Sequence, residues 1–173
     1  MLTLWIDTNQ ARAAKPLKQL AQLARRKGVV PIVHPQVYLE TRRQKRVMHG
    51  PAFSPSIFDE LLTQCRIECP AIAFDQARVS TWADLLAARY PSDQLWQRAK
   101  HATIGGELAS GYDVLPGSLP MTTDWLIALE VELESDGRVL TADTGEEWRT
   151  LRESGRVFGW DGAVAWLNSL PDL

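Results

Sequence analysis

Several features are scarce in this sequence, and each scarcity closes off a class of protein. Two cysteines in 173 residues cannot build a disulfide framework, and they suit a reducing compartment. Cys65 and Cys69 stand four apart with no second pair and with the three histidines remote in sequence, so buried small side chains are the better reading than a zinc site. No apolar run approaches the ~18 residues of a membrane-spanning helix. The opening MLTLWIDTN reaches an acid before a secretory core can form, and a cytoplasmic protein with no membrane partner is expected. Charge of one sign is lacking too: 19 Lys plus Arg against 21 Asp plus Glu leaves a net charge of -2. Nucleic acid would therefore have to be held by local patches. Gly105 and Gly106 lack the lysine and hydroxyl of a phosphate-binding loop, and no GxGxxG follows the first apolar run, which disfavours nucleotide-cofactor enzymes.

What is present describes a folded α/β domain. Hydrophobic residues make up 45% and charged residues 23%, a balance that excludes wholesale disorder, and the length suits a single domain over 1–173. Met1 to Ile6 reads as a short buried strand closed by Asp7, Thr8 and Asn9. From Pro16, Leu17, Leu20, Ala21, Leu23 and Ala24 recur at helical spacing, and Gly28 can end that helix. Val29 to Val33 forms a second apolar run, Gln36 to Gln44 a helix carrying Glu40, and Phe58, Leu61, Leu62 and Cys65 an amphipathic stripe. Ala71 to Phe74 is a strand candidate, and Thr81 with Asp84 resembles a helix start. Residues 91–121 read as irregular connection beyond a helix near Trp96. A helix from Asp124 to Glu134, a strand from Arg138 to Ala142, helix near Trp148, a strand from Arg156 to Gly159 and a last helix through Val164, Trp166 and Leu167 complete the pattern. This alternation predicts an α/β sandwich with a mainly parallel sheet. Trp5, Trp125, Trp160 and Trp166 fall in apolar patterns and read as core.

In a parallel sheet the strands' carboxyl ends share one edge, where ligands sit at the switch point of the strand order. At such positions the sequence places Asp7, Glu40 and Asp143, and the helix that begins at Asp124 starts where the chain returns to that edge. Four carboxylates at one edge repel strongly and call for protonation or a multivalent cation. A donor set of oxygens alone favours Mg²⁺ or Mn²⁺ over zinc. Two basic runs, Arg25 to Lys27 and Arg42, Arg43, Lys45 and Arg46, are candidates for holding a phosphate backbone, or else solvated charge and helix C-terminal interactions. Lys100 and His101 lie near the Gly-rich connection, and His34, before Pro35 at a strand end, reads as structural.

LTLWIDTN at the start, Glu40 after VVPIVHPQVYLE, TTDWLIALE, and RVLTAD nineteen residues later together resemble the PIN-domain (PilT N-terminal) family of metal-dependent ribonucleases, over essentially the whole chain. The resemblance implies a three-layer sandwich with a central five-stranded parallel sheet. It implies an acidic pocket in which Asp7, Glu40, Asp124 and Asp143 hold Mg²⁺ or Mn²⁺ for hydrolysis of RNA phosphodiester bonds. Asn9 and Thr141 match the polar residues beside the first and last acids and would orient groups behind the metal ligands. Two departures are visible. The stretch between Glu40 and Asp124 is longer than in the compact toxin members, and Glu146 stands where an aromatic is common, with Trp148 two residues on; Glu146 is thereby a candidate to share the role of Asp143. Besides RNA, the resemblance brings an antitoxin or regulatory protein and a second copy of the chain as partners. The competing expectation is a catalytically inactive PIN-like protein that acts through a partner complex.

Overall fold

Residues 1–11, 14–35, 37, 38, 41, 55–72, 81, 84, 85, 88 and 123–173 are described by the structure, a computed structural model. In chain order the elements are β1 (Thr3–Ile6), α1 (Thr8–Ala11), α2 (Ala14–Arg26), β2 (Val30–Val33), α3 (Pro55–Cys65), α4 (Thr123–Leu133) and β3 (Gly137–Leu140). A 3-10 turn (Glu146–Trp148), α5 (Arg149–Glu153), β4 (Val157–Phe158) and α6 (Trp160–Ser169) follow. The strands form one sheet in the order β2-β1-β3-β4, with every pairing parallel.

β1 lies between β2 and β3, in register Ile6 to Val33 on one side and Ile6 to Leu140 on the other. All four of its residues are buried, as a short apolar run without polar alternation requires of a strand covered on both faces. The chain leaves β1 for β2 on one side and later arrives at β3 on the other. A right-handed crossover from β1 to β2 puts α2 on one face of the sheet, and the strand order reverses between β1 and β3.

The helix boundaries follow local chemistry. α2 buries Leu17, Leu20, Ala21 and Ala24 and exposes Lys15, Lys18 and Gln22. It ends at Gly28, whose φ of +70° lets Gly28 N–H reach the Arg25 carbonyl and Val29 N–H the Ala24 carbonyl. The same paired closure recurs after α5 at Gly155 and after α3 at Arg66, a non-glycine residue at φ 53°. α4 is apolar on most of its surface. Ile127, Ala128, Leu129 and Val131 are fully buried, and α4 packs against β3 and the 3-10 turn, where Trp148 is also fully buried.

Several expectations need correction. The described residues form four strands rather than five. The strand expected at Ala71 to Phe74 is not seen at Ala71 and Ile72, and residues 73 and 74 lie outside the described residues. Pairing occurs earlier, as one parallel bridge between Ile32 and Glu68, with Glu68 N–H on the Pro31 carbonyl at 2.9 Å and Val33 N–H on the Glu68 carbonyl at 2.8 Å. Pro70 has no N–H to continue that ladder. Cys65 is buried as expected, but Cys69 is exposed, because it follows the end of α3 rather than sharing its inner face. Trp5 is core, whereas Trp160 and Trp166 are half-buried, Trp166 stacked on Phe158 at 5.3 Å and capped by the Arg138 guanidinium. The side chain of Trp125 and the helix near Trp96 lie outside the described residues. No described helix is long and apolar enough to cross a membrane.

Candidate metal centre

The chain continues the sheet for one residue past β1 and β3, and those residues build the site. Asp7 N–H donates to the Leu140 carbonyl at 3.0 Å, and Thr141 N–H to the Phe158 carbonyl at 3.0 Å. Asp7 and Thr141 are therefore neighbours on the same face of adjacent strands, at the carboxyl edge where the strand order reverses. The Asp7 carbonyl accepts from the N–H groups of Gln10 and Ala11, which turns the chain into α1 and brings Asn9 back over the acid.

A tight polar network results. The Thr141 hydroxyl donates to Asp7 Oδ2 at 2.7 Å and accepts from Asp143 N–H at 3.0 Å and Asn9 Nδ2 at 3.3 Å. A hydroxyl has one donor and two acceptor positions, so Thr141 is saturated. Asn9 Nδ2 also donates to Asp7 Oδ2 at 2.8 Å, while Asn9 Oδ1 accepts from Ala142 N–H at 3.2 Å. Asp7 is 1% exposed and Thr141 3% exposed. Burial raises the cost of an ionised carboxylate, and two hydrogen bonds converging on Oδ2 offset part of that cost.

Three of the four predicted acids come together. One carboxylate oxygen each from Asp7, Asp124 and Asp143 lies within 4.8 Å of the other two. They come from three separate elements: the end of β1, the first turn of α4 and the loop after β3. Asp7 is buried, Asp124 half-buried and Asp143 exposed, so the group opens to solvent on one side. Two ionised carboxylates at that separation repel by about 3.5 kcal/mol or more at an effective dielectric of 20. Oxygen ligands at about 2.1 Å in an octahedral shell are spaced about 3 Å apart when adjacent and about 4.2 Å when opposite. Small side-chain rotations would bring these three oxygens into that range, and an all-carboxylate donor set fits a hard divalent cation.

Glu146 does not join this group. It pairs with Arg149 one helical turn on, at 2.8 Å, and is exposed. Glu40 and the run Arg42, Arg43, Lys45 and Arg46 lie outside the described residues, as do Lys100, His101, Gly105, Gly106 and the whole of 91–121. In the other basic run, Arg25 donates to the Arg66 carbonyl and pairs with Glu68, and Lys27 reaches the Leu170 carbonyl and Asp172. Those two cations tie helix ends together, in keeping with the helix C-terminal alternative. His34 is fully buried, its ring 6.1 Å from that of Trp5.

No motif in the sequence marks Glu134, the last residue of the helix expected from Asp124. Its Oε2 accepts from the Thr3 hydroxyl at 2.7 Å and from Trp5 Nε1 at 3.0 Å, at the edge of the sheet opposite Asp7. The available signal was that a core tryptophan needs a partner for its N–H. No protein-family model matches this chain, and no curated protein matches it in sequence.

Proposed function

We propose that this protein is a divalent-cation-dependent endoribonuclease of PIN type, with Mg²⁺ or Mn²⁺ held by Asp7, Asp124 and Asp143. The observation that carries the reading is the convergence of three carboxylates from distant parts of the chain at the switch point of a parallel sheet. Glu40 is proposed as a fourth ligand, and Arg42, Arg43, Lys45 and Arg46 as the groups that meet the RNA backbone. The bridge at Glu68 is read as a fifth strand position of a PIN-type sheet, in a three-layer, cytoplasmic domain.

When bound, the cation supplies two things: a lowered pKa for a bound water and neutralisation of charge developing on the scissile phosphate. The chain's own work is positioning. Thr141 and Asn9 fix one oxygen of Asp7. Thr141 also holds the backbone of Asp143, so the buried and exposed ligands are set by one hydroxyl. Asp143 faces solvent, which leaves an open side for a polyanion.

The test is incubation of a mixed RNA pool with the purified chain, in Mn²⁺ and in excess chelator, beside Asp7→Asn. Products are expected in Mn²⁺ alone and only with Asp7 intact. Equal products in chelator, or undiminished cleavage by Asp7→Asn, would refute the assignment. Metal binding without cleavage would favour the inactive, partner-directed alternative.

A further inference from the structure

α4 carries Asp124 at its first turn, yet its apolar surface does little to say where along the sheet that turn should stop. Ile127, Ala128, Leu129 and Val131 are all fully buried, and burial of apolar area is non-directional. Directional bonds set axial position more sharply, and one group of them stands at the far end of the helix.

Glu134 follows the last turn of α4. Its Oε2 receives the Thr3 hydroxyl and the Trp5 indole N–H, both from β1, the strand that ends in Asp7. Arg156 closes the same corner. Its Nη2 donates to the carbonyls of Val131 and Glu134, and its Nε donates to the Gly137 carbonyl at 2.7 Å. Gly137 leaves room for this arrangement: a Cβ there would stand 2.9 Å from Glu134 Oε2 and 3.1 Å from Val131 Cγ1.

The lengths agree. Thr3 to Asp7 is four strand residues, about 13 Å. Asp124 to Glu134 is ten residues, about 15 Å at helical rise. With α4 running antiparallel to β1, fixing Glu134 beside Thr3 and Trp5 puts Asp124 beside Asp7. A slip of one residue would move Asp124 by about 1.5 Å along the axis and rotate it by about 100°, well beyond the ±0.2 Å that metal ligation tolerates.

We propose that Glu134 is a positioning residue whose carboxylate, held by Thr3 and Trp5 while Arg156 holds its main-chain carbonyl, sets the register of α4 and so holds Asp124 against Asp7. The role in metal binding rests on the reading above that these acids hold a divalent cation; the role in geometry does not.

Both are tested with Glu134→Ala, Glu134→Gln and Gly137→Ala, each measured for Mn²⁺ affinity by calorimetry and each crystallised without metal. Glu134→Ala removes the latch, Gly137→Ala displaces the carboxylate, and Glu134→Gln keeps an oxygen that accepts from Thr3 and Trp5. The first two are expected to weaken Mn²⁺ binding at least tenfold, with the Asp7 and Asp124 oxygens moved beyond 4.8 Å; Glu134→Gln stays near wild type in both. Unchanged affinity and an unchanged gap in Glu134→Ala overturn the proposal, and Gly137→Ala decides if that variant does not fold. Wild-type protein that binds no Mn²⁺ overturns the metal reading. The gap then decides the latch: widened in the variants it upholds it, and unchanged it overturns it.

Discussion

Replacing Thr141 with valine removes one oxygen and leaves the shape almost intact, so the effect reports on the polar network alone. The hydroxyl donates to buried Asp7 and accepts from the backbone of Asp143 and the amide of Asn9. A hydrogen bond to a charged group contributes about 1.5–3 kcal/mol, and a neutral one about 0.5–1.5 kcal/mol. The Asp143 N–H and the Asn9 amide sit near solvent and recover part of their loss through water, and the new methyl group gains a little by burial. The net expectation is destabilisation by about 2 kcal/mol, or about 30-fold in the folded-to-unfolded ratio. For a chain of this length that lowers Tm by roughly 4–8 °C. Urea unfolding at pH 7, with calorimetry for Tm, measures it without any metal. A midpoint indistinguishable from wild type, with an unchanged denaturant slope, would show that the hydroxyl does not bridge Asp7 and Asp143.

Gly155→Ala tests backbone strain free of packing, because φ is +68° and nothing lies within 4 Å of the added methyl. Destabilisation by about 1 kcal/mol is expected from the left-handed conformation alone, and a neutral result in urea unfolding would contradict the closure described for α5. For Cys69, an exposed residue, partial desolvation of its sulfur pushes the thiol above its ordinary range and the Asp59 carboxylate adds to the shift. The reactive thiolate therefore forms only at higher pH, and although Cys69 is exposed, iodoacetamide should modify it more slowly at pH 8 than free cysteine. A rate equal to that of free cysteine would remove the electrostatic account of that site.

The parts of this structure visible in sequence are those written in local pattern. TLWI followed by Asp7 reads as a buried strand and its polar end because both signals fall within five residues. The helix over TDWLIALEVEL and the strand over GRVL are marked off by the turn at Asp136 and Gly137 between them, and with them comes the nineteen-residue interval between Asp124 and Asp143. Contacts between distant segments were harder to see. Glu134 stands in ESDG, where an acid before a turn looks like ordinary surface charge, and only the position of α4 on β1 reveals the bonds to Thr3 and Trp5. Arg66 closes a helix at positive φ without the glycine that would have announced it. The exposure of Cys69 depends on where α3 stops, and the place of the strand rung at Glu68 rather than Ala71 depends on Pro70.

The central claim is that Asp7, Asp124 and Asp143 form one cation-binding group, and Mn²⁺ titration followed by thermal unfolding measures it most directly. At 100 times its dissociation constant, a ligand of the native state stabilises it by about 2.7 kcal/mol, a rise of roughly 5–10 °C in Tm for a chain of this size. Wild-type protein should show that rise as Mn²⁺ saturates, and Asp7→Asn should lose it. A flat response up to millimolar Mn²⁺, or the same rise in Asp7→Asn, would contradict the account.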